Sequence, residues 1–186
     1  MKALESPAME TSTIVRTERP IPRVLVGAVM AVKSRTIEEL GKVVAEEVRA
    51  AKLTLVRSVI VNGEPHFIQQ LVSNVSNDNE ADAIVLVGGT GFGPRDTTVE
   101  AIDAFCERRI EGFGDEFRHM LRQEMAFGPH SWLARATAGV YNQCLVFAMT
   151  GRANDLKRAM ESIVVPTLSD AVELATGRMR AVHIRA

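Results

Sequence analysis

The sequence predicts an α/β protein, built as a three-layer α/β/α sandwich around a mostly parallel sheet. Apolar runs typical of strands alternate along the chain with segments whose apolar residues recur every three or four positions, as in βαβ units. The run Ala83–Val87 has no polar face, which is typical of a central parallel strand covered by helices on both sides. With 186 residues, 46% of them hydrophobic, the chain is long enough for one self-sufficient core.

The pattern divides the chain into a flexible N-terminal arm, residues 1–21, and a single domain, residues 22–186. The arm mixes Ser, Thr, Pro and both charge signs without a hydrophobic period. The longest apolar run, Val24–Val32, is about half of the ~20 residues that a membrane-spanning helix needs. No apolar signal segment follows the first residues, so we expect a cytoplasmic protein without a membrane partner.

The charge balance argues against a role spread over the whole surface. Lys and Arg total 22, Asp and Glu total 23, and the formal net charge is -1. Such a chain has no general attraction to nucleic acid, so any anion site must be local. The two cysteines, Cys106 and Cys144, have apolar neighbours and are predicted to be core residues in a reducing compartment.

The first half of the domain reads as two strand-helix pairs. The first strand is predicted at Arg23–Met30, followed by a helix that opens at Thr36 with Glu39 in a capping box. The second strand is predicted at Leu53–Val61. The helix after it has an apolar stripe made of Phe67, Ile68, Leu71, Val72 and Val75.

The third strand, Ala83–Val87, leads into a glycine-rich segment, Gly88–Asp96, and the chain then re-enters a helix. Thr97 and Glu100 match a second capping box at that entrance. The remaining elements are, in order, a helix over Asp115–Met125, a strand over Gln143–Met149, and a final helix from about Asn154 that Pro166 bends or restarts.

The segment Gly88–Asp96 is predicted to bind an anion. Ligands of open parallel sheets bind beyond the carboxyl ends of the strands, and a helix N-terminus there offers free N–H groups to a phosphate. Arg95 and Thr90 add side-chain donors, while Asp96 beside a phosphate is best explained by a bridging Mg²⁺. Four glycines let the backbone approach a ligand closely: Gly88, Gly89, Gly91 and Gly93.

Three other interpretations of this glycine loop fit the sequence less well. Gly88 and Gly93 have the first spacing of a Walker A loop, but Pro94-Arg95 stands where Lys-Ser/Thr is required. A dinucleotide fingerprint belongs in the first strand-helix turn, whereas this loop follows the third strand. A plain connecting turn would not need an arginine and an aspartate at the helix entrance.

Several separated motifs resemble the MoaB/Mog family of molybdenum cofactor biosynthesis proteins. The first is Val87–Gly91 followed by Pro94–Asp96, Thr98 and Glu100-Ala101. The match continues in the same order through Glu111–Gly114, Phe117-Arg118, Ala134–Val140 and the turn at Gly151. The resemblance covers about Arg23 to Leu168, nearly the whole predicted domain.

The resemblance implies a three-layer molybdopterin-binding domain that forms a homo-oligomer, a trimer or hexamer, and works with other molybdenum cofactor proteins. Active members use Mg-ATP to adenylylate the terminal phosphate of molybdopterin. By this resemblance Asp96 is the catalytic acid and the Mg²⁺ ligand, and Thr90 is a phosphate ligand. The remaining contacts to the pterin are expected from the glycine loop with Arg95 and from Thr98, Glu100, Arg135, Gly151 and Asn154.

The chain departs from the family pattern on the nucleotide side. An acidic loop after the first strand is replaced by a direct run into the helix at Ala31–Arg35. Pro-Asp-Glu becomes Asn62-Gly63-Glu64, Leu-Ser-Arg becomes Leu133-Ala134-Arg135, and the turn Thr150–Asn154 keeps its Gly and Asn but lacks the usual prolines. Two hypotheses therefore stand: a protein that binds molybdopterin without turning it over, and an active molybdopterin adenylyltransferase.

Overall fold

The computed structural model describes residues 20–30, 34–123, 128–149 and 151–177. These residues contain a six-stranded sheet with the order β2-β1-β3-β6-β5-β4. The pairs β2–β1, β1–β3 and β3–β6 are parallel, whereas β5 runs antiparallel to both of its neighbours. The strands are β1 (Arg23–Met30), β2 (Thr54–Asn62), β3 (Ala83–Val87), β4 (Arg108–Arg109), β5 (Thr137–Tyr141) and β6 (Cys144–Met149).

Helices cover both faces of this sheet and confirm the predicted three layers. They are α1 (Arg35–Ala50), α2 (Pro65–Asn77), α3 (Thr98–Phe105), α4 (Gly112–Arg122), α5 (Ala153–Ala159) and α6 (Val165–Thr176). A π-helical turn, Met160–Val164, joins α5 to α6. Pro166 lies in the first turn of α6, where its missing N–H costs nothing, so the predicted restart of the helix is confirmed.

Alternating residues of the central strands build two cores. Val26, Val85 and Phe147 face one layer, where they pack with buried residues of α1, α4, α5 and α6. Leu25 and Ile84 face the other layer, with α2 and α3. Every residue of β3 is buried, which confirms the predicted central strand and its bounds. The bounds predicted for β1 are confirmed as well.

Both predicted capping boxes are wrong. Helix α1 begins one residue before Thr36, and its cap is the Ser34 side chain, which accepts a hydrogen bond from the Ile37 amide. Glu39 instead bonds the Arg35 side chain one turn earlier. At α3, Thr97 holds the N-cap position without a side-chain capping bond. Its hydroxyl is directed towards a carbonyl outside the helix, to which it donates.

The antiparallel side of the sheet differs most from the sequence prediction. Strands β4 and β5 were not predicted, α4 begins three residues before Asp115, and β6 begins after Gln143. Met125, the predicted end of α4, lies outside the described residues, as do residues 1–19 of the predicted arm and residues 31–33. In the described part of the chain no helix is long and apolar enough to cross a membrane.

The two cysteines are consistent with their predicted packing role. Cys144 is buried and Cys106 is half-buried. Burial raises the pKa of Cys144 to about 12 and that of Cys106 to about 11, with nearby carboxylates adding to both shifts. Both thiols are therefore protonated and unreactive near neutral pH.

Candidate anion-binding site

The glycine loop, Gly88–Asp96, lies at the end of the sheet where β1, β3 and β6 terminate. The amide of Gly88 donates to the carbonyl of Met149, the last residue of β6, at 3.2 Å. A Cβ on Gly88 would lie 2.5 Å from the carbonyl oxygen of Val29 in β1. The loop is therefore wedged between two strand ends, at the position where open parallel sheets bind ligands.

Gly88 and Gly89 give the loop its shape. Their φ angles are +102° and +66°, in the region that favours glycine. Thr98, at the start of α3, anchors the turn: its amide donates to the Gly89 carbonyl and its hydroxyl to the Gly88 carbonyl, both at 2.9 Å. Thr98 is fully buried, so it supports the loop from beneath.

The side-chain hydroxyl of Thr90 lies in an unusual environment. Its hydroxyl is buried and has no hydrogen-bond partner among the described residues, and no other buried side-chain N or O there shares this condition. An unsatisfied buried hydroxyl costs about 1–3 kcal/mol, so native structures seldom keep one without a reason. A ligand oxygen at the loop would remove that cost.

Asp96 folds back onto the loop. Its Oδ2 accepts a hydrogen bond of 3.0 Å from the amide of Gly93, and its own amide donates to the Gly93 carbonyl at 2.9 Å. The carboxylate thus closes a tight turn at the entrance of α3. Arg95, the neighbouring residue, is exposed and makes no ion pair within the described ranges.

Arg135 clamps the tip of the loop from the side of β5. Its Nη1 donates to the Gly91 carbonyl at 2.8 Å, its Nη2 bonds the Glu100 carboxylate, and its guanidinium lies 5.3 Å from the centre of the Phe92 ring. Burial is the largest single influence on Glu100 and opposes its ionisation. The hydrogen bond from Arg135, a backbone hydrogen bond and the charge of Arg135 together outweigh burial, so the pKa of Glu100 is lowered. The sequence did not single out Phe92.

A cleft of about 300 Å³ opens beside this clamp. Arg135 contacts the loop and also lines the cleft, so the two are adjacent. Thr137 and Arg109 each contact the Asp103 carboxylate, at 2.5 and 3.2 Å. The cleft walls carry paired charges and apolar atoms from Val99, Asp103, Arg109, Ile110, Glu111, Gly114, Asp115, Arg118, Arg135, Ala136 and Thr137.

The turn after β6 lies at the same end of the sheet. Gly151 has a φ of +155°, and a Cβ there would meet Asp155 at 3.0 Å. Asp155 is buried and receives hydrogen bonds from the amide and the guanidinium of Arg152, each at 3.0 Å. Asn154 is exposed. The predicted residues Gly151 and Asn154 thus sit on a turn whose shape the Arg152–Asp155 pair fixes.

The turn after β2 also reaches the loop. Gly63 is buried, its amide donates to the Met30 carbonyl, and its own carbonyl accepts from the Thr97 hydroxyl at 2.6 Å. Glu64 is exposed at the start of α2. The position at which active members carry an aspartate therefore holds only backbone here, bonded to the entrance of α3.

These residues do not by themselves make a Mg²⁺ site. Mg²⁺ is held by oxygen ligands, usually one or two carboxylates together with substrate phosphates and water. No group of three metal-ligating side chains occurs in the described part of the chain. Asp96 is the single carboxylate of the glycine loop, and one of its oxygens already bonds the Gly93 amide. The expected metal role of Asp96 therefore requires oxygens from a ligand.

The fold and the loop define an α/β protein with a glycine-rich loop at the carboxyl end of its parallel strands. A family model described as "Probable molybdopterin binding domain" matches residues 24–170. Molybdenum cofactor biosynthesis protein B of Bacillus subtilis is 33% identical over 135 residues, which is 73% of this chain and 79% of that protein. The Staphylococcus epidermidis protein of the same name is 37% identical over 103 residues, 55% of this chain and 58% of that protein.

Solved structures agree with the sequence relatives. A crystal structure of molybdenum cofactor biosynthesis protein B covers 87% of this chain and 99% of its own, at 25% identity and a TM-score of 0.76. The tungsten cofactor synthesizing protein MoaB of Pyrococcus furiosus covers 83% of this chain and 97% of its own, at 27% identity and a TM-score of 0.69. The chain belongs to the MoaB/Mog family of molybdenum cofactor biosynthesis proteins.

Proposed function

We propose that the protein binds molybdopterin with the terminal phosphate of the pterin on the glycine loop. The observation that carries this proposal is the buried hydroxyl of Thr90, which has no partner among the described residues. A phosphate oxygen at the loop satisfies that hydroxyl and removes the cost of leaving it unbonded. Exposed Arg95 supplies a cation at the same loop, and the N-terminus of α3 adds a partial positive charge.

The cleft beside Arg135 suits the pterin. Its volume of about 300 Å³ is at the lower end of the range for small-molecule sites. A ligand whose phosphate lies on the loop extends past Arg135 into this cleft, because Arg135 contacts the one and lines the other. Asp103 and Thr137 there offer polar atoms to the edges of a heteroaromatic ring.

Binding is better supported than adenylyl transfer. Adenylyl transfer relies on positioning and charge neutralisation by metal-holding carboxylates and cations. Here Gly63 supplies no side chain, Ala134 supplies no hydroxyl, and Asp96 bonds the Gly93 amide. Bound Mg-ATP would supply the adenylyl group and neutralise charge. The chain's own part would be to hold the pterin phosphate with Thr90 and Arg95.

The direct test incubates purified protein with molybdopterin under anaerobic conditions, with and without Mg-ATP. We expect saturable binding of the pterin, followed by its fluorescence after oxidation, and no adenylylated product by mass spectrometry. Adenylylated product that is lost in the Asp96→Ala variant would establish the enzyme hypothesis instead. Absence of pterin binding would contradict the proposal.

We also propose that the protein is a homo-oligomer, a trimer or hexamer. Apolar side chains stay exposed on the isolated chain, among them Ile60 on the edge strand β2 and Trp132, at 59% and 66% exposure. Exposed groups of this size are typical of interfaces. Light scattering coupled to size-exclusion chromatography gives the mass directly, and a monomer at micromolar concentration would contradict the proposal.

A further inference from the structure

Asp96 places its carboxylate within the glycine loop. Its Oδ2 accepts from the Gly93 amide at 3.0 Å, while its backbone amide donates to the Gly93 carbonyl at 2.9 Å. A carboxylate is itself an oxygen anion. The loop amide that faces the carboxylate is therefore already bonded to an anion that belongs to the chain.

The glycines of the loop make room for this carboxylate. A Cβ on Gly91 would lie 2.6 Å from Oδ2 of Asp96, and a Cβ on Gly93 would lie 2.9 Å from it. Neither glycine has a φ in the left-handed region, unlike Gly88 and Gly89. Glycine at 91 and 93 is thus needed for space and not for backbone conformation. The Asp96 carboxylate oxygen occupies the space that a Cβ at either position would need.

The same loop has a second donor that Asp96 does not satisfy. The hydroxyl of Thr90 is buried and lacks a partner among the described residues. The Asp96 oxygen that contacts the loop accepts its hydrogen bond from the Gly93 amide and not from Thr90. A phosphate has more acceptor oxygens and more charge, so it can serve both donors.

We propose that Asp96 lowers the affinity of the glycine loop for anionic ligands. Its carboxylate is the resident acceptor of the Gly93 amide, and a ligand binds there only by displacing it. A phosphate compensates for this exchange by its larger charge and by accepting a hydrogen bond from the Thr90 hydroxyl. The inference rests on the proposed function, because it assumes that the phosphate of the ligand occupies this loop.

The test compares inorganic pyrophosphate binding to wild type and to Asp96→Asn by calorimetry without metal. Asn keeps the size of Asp and a neutral acceptor but loses the charge, so the resident group is weaker. A charged hydrogen bond is stronger than a neutral one, so we expect pyrophosphate to bind about fivefold tighter to Asp96→Asn. The matched control is Asp78→Asn, which removes an exposed charge at the C-cap of α2. The control should change affinity less than twofold.

A second readout follows the displacement itself by nuclear magnetic resonance. In wild type, the Gly93 amide and the Asp96 carboxyl carbon should shift together as pyrophosphate is added, with one dissociation constant. In Asp96→Ala, the Gly93 amide resonance should still shift when pyrophosphate is added. Thermal denaturation checks that Asp96→Asn and Asp96→Ala are folded.

The possible results distinguish a failure of this inference from a failure of the proposed phosphate site. Equal or weaker binding in Asp96→Asn, or an equal gain in Asp78→Asn, overturns the proposed role of Asp96 while leaving phosphate binding in place. Pyrophosphate binding that leaves the Gly93 amide unchanged, or no binding to any variant, overturns both the inference and the proposed phosphate site.

Discussion

Arg135 and Gly91 are joined by a hydrogen bond of 2.8 Å, from Nη1 of the guanidinium to the carbonyl oxygen of the loop glycine. The same guanidinium bonds Glu100 and lies over the Phe92 ring. One side chain thereby connects the tip of the glycine loop to α3 and to the cleft. The loop's shape depends on a planar cation with donors in several directions.

Replacing Arg135 with Lys should weaken ligand binding while leaving the fold nearly unchanged. Lysine keeps the charge but cannot contact Gly91, Glu100 and Phe92 at once. We expect the dissociation constant for molybdopterin to rise about tenfold, measured by fluorescence titration. Glu100→Gln is the partner variant. It should weaken binding less, because the hydrogen bond from Arg135 to Gly91 remains. Unchanged affinity in Arg135→Lys would show that the clamp does not position the loop.

Removing the Thr90 hydroxyl should stabilise the protein and impair binding. Thr90→Val keeps the shape of the side chain and deletes a buried donor that has no partner among the described residues. The free energy of unfolding should rise by about 1 kcal/mol, measured by urea denaturation without ligand. Affinity for pyrophosphate should fall about tenfold in the same variant, whereas Thr90→Ser, which keeps the hydroxyl, should bind like wild type. A destabilised Thr90→Val would mean that the hydroxyl has a partner in the free protein.

Two variants in the turn after β6 should distinguish a residue that stabilises the fold from a residue that binds the ligand. Asp155 is 1% exposed and receives three hydrogen bonds from Arg152, so Asp155→Ala removes both the cap of α5 and the constraint on the turn. We expect a loss of about 2 kcal/mol in the free energy of unfolding. Exposed Asn154→Ala should leave stability within about 0.5 kcal/mol and reduce pterin affinity. Equal destabilisation by both would contradict this division of roles.

Stability should fall in alkaline solution because of the cysteines. The folded-state pKa values of Cys106 and Cys144 are raised to about 11 and about 12 from 9.0. Between those limits the unfolded chain loses thiol protons that the folded protein keeps, so the free energy of unfolding falls as the pH rises above about 9. Urea denaturation from pH 8 to 10.5 should show this fall, and Cys144→Ala should reduce its slope. A flat profile in wild type would contradict the buried thiol.

The sequence predicted the elements whose burial is uniform. The strand β3 is apolar throughout because helices cover both of its faces, and its bounds follow from the run Ala83–Val87 alone. Strand β5 was missed because Thr137–Tyr141 is short, contains a glycine, and pairs antiparallel at the side of the sheet. Strand β4 has two residues, too few for any period to show.

The candidate site was predicted by residue type more than by geometry. The glycines and the order of the motifs identified the loop, and the family resemblance placed Arg135 among the expected ligand contacts. Two contacts could not be predicted from the sequence. The sequence allows the Thr97 hydroxyl to cap α3, but in the structure this hydroxyl donates to the carbonyl of Gly63 in a distant turn. The metal role of Asp96 follows from the repulsion of like charges beside a phosphate and stays a prediction. The sequence could not show that its carboxylate fits the space that Gly91 and Gly93 leave.

The most direct test of the central claim is to map molybdopterin onto the protein by its backbone amide resonances under anaerobic conditions. Binding of the phosphate at the glycine loop predicts that the largest shifts fall on the amides of Gly88–Gly93, followed by residues of the cleft beside Arg135. Shifts confined to the opposite end of the sheet, around the β5–β6 turn at Asn142, would contradict it.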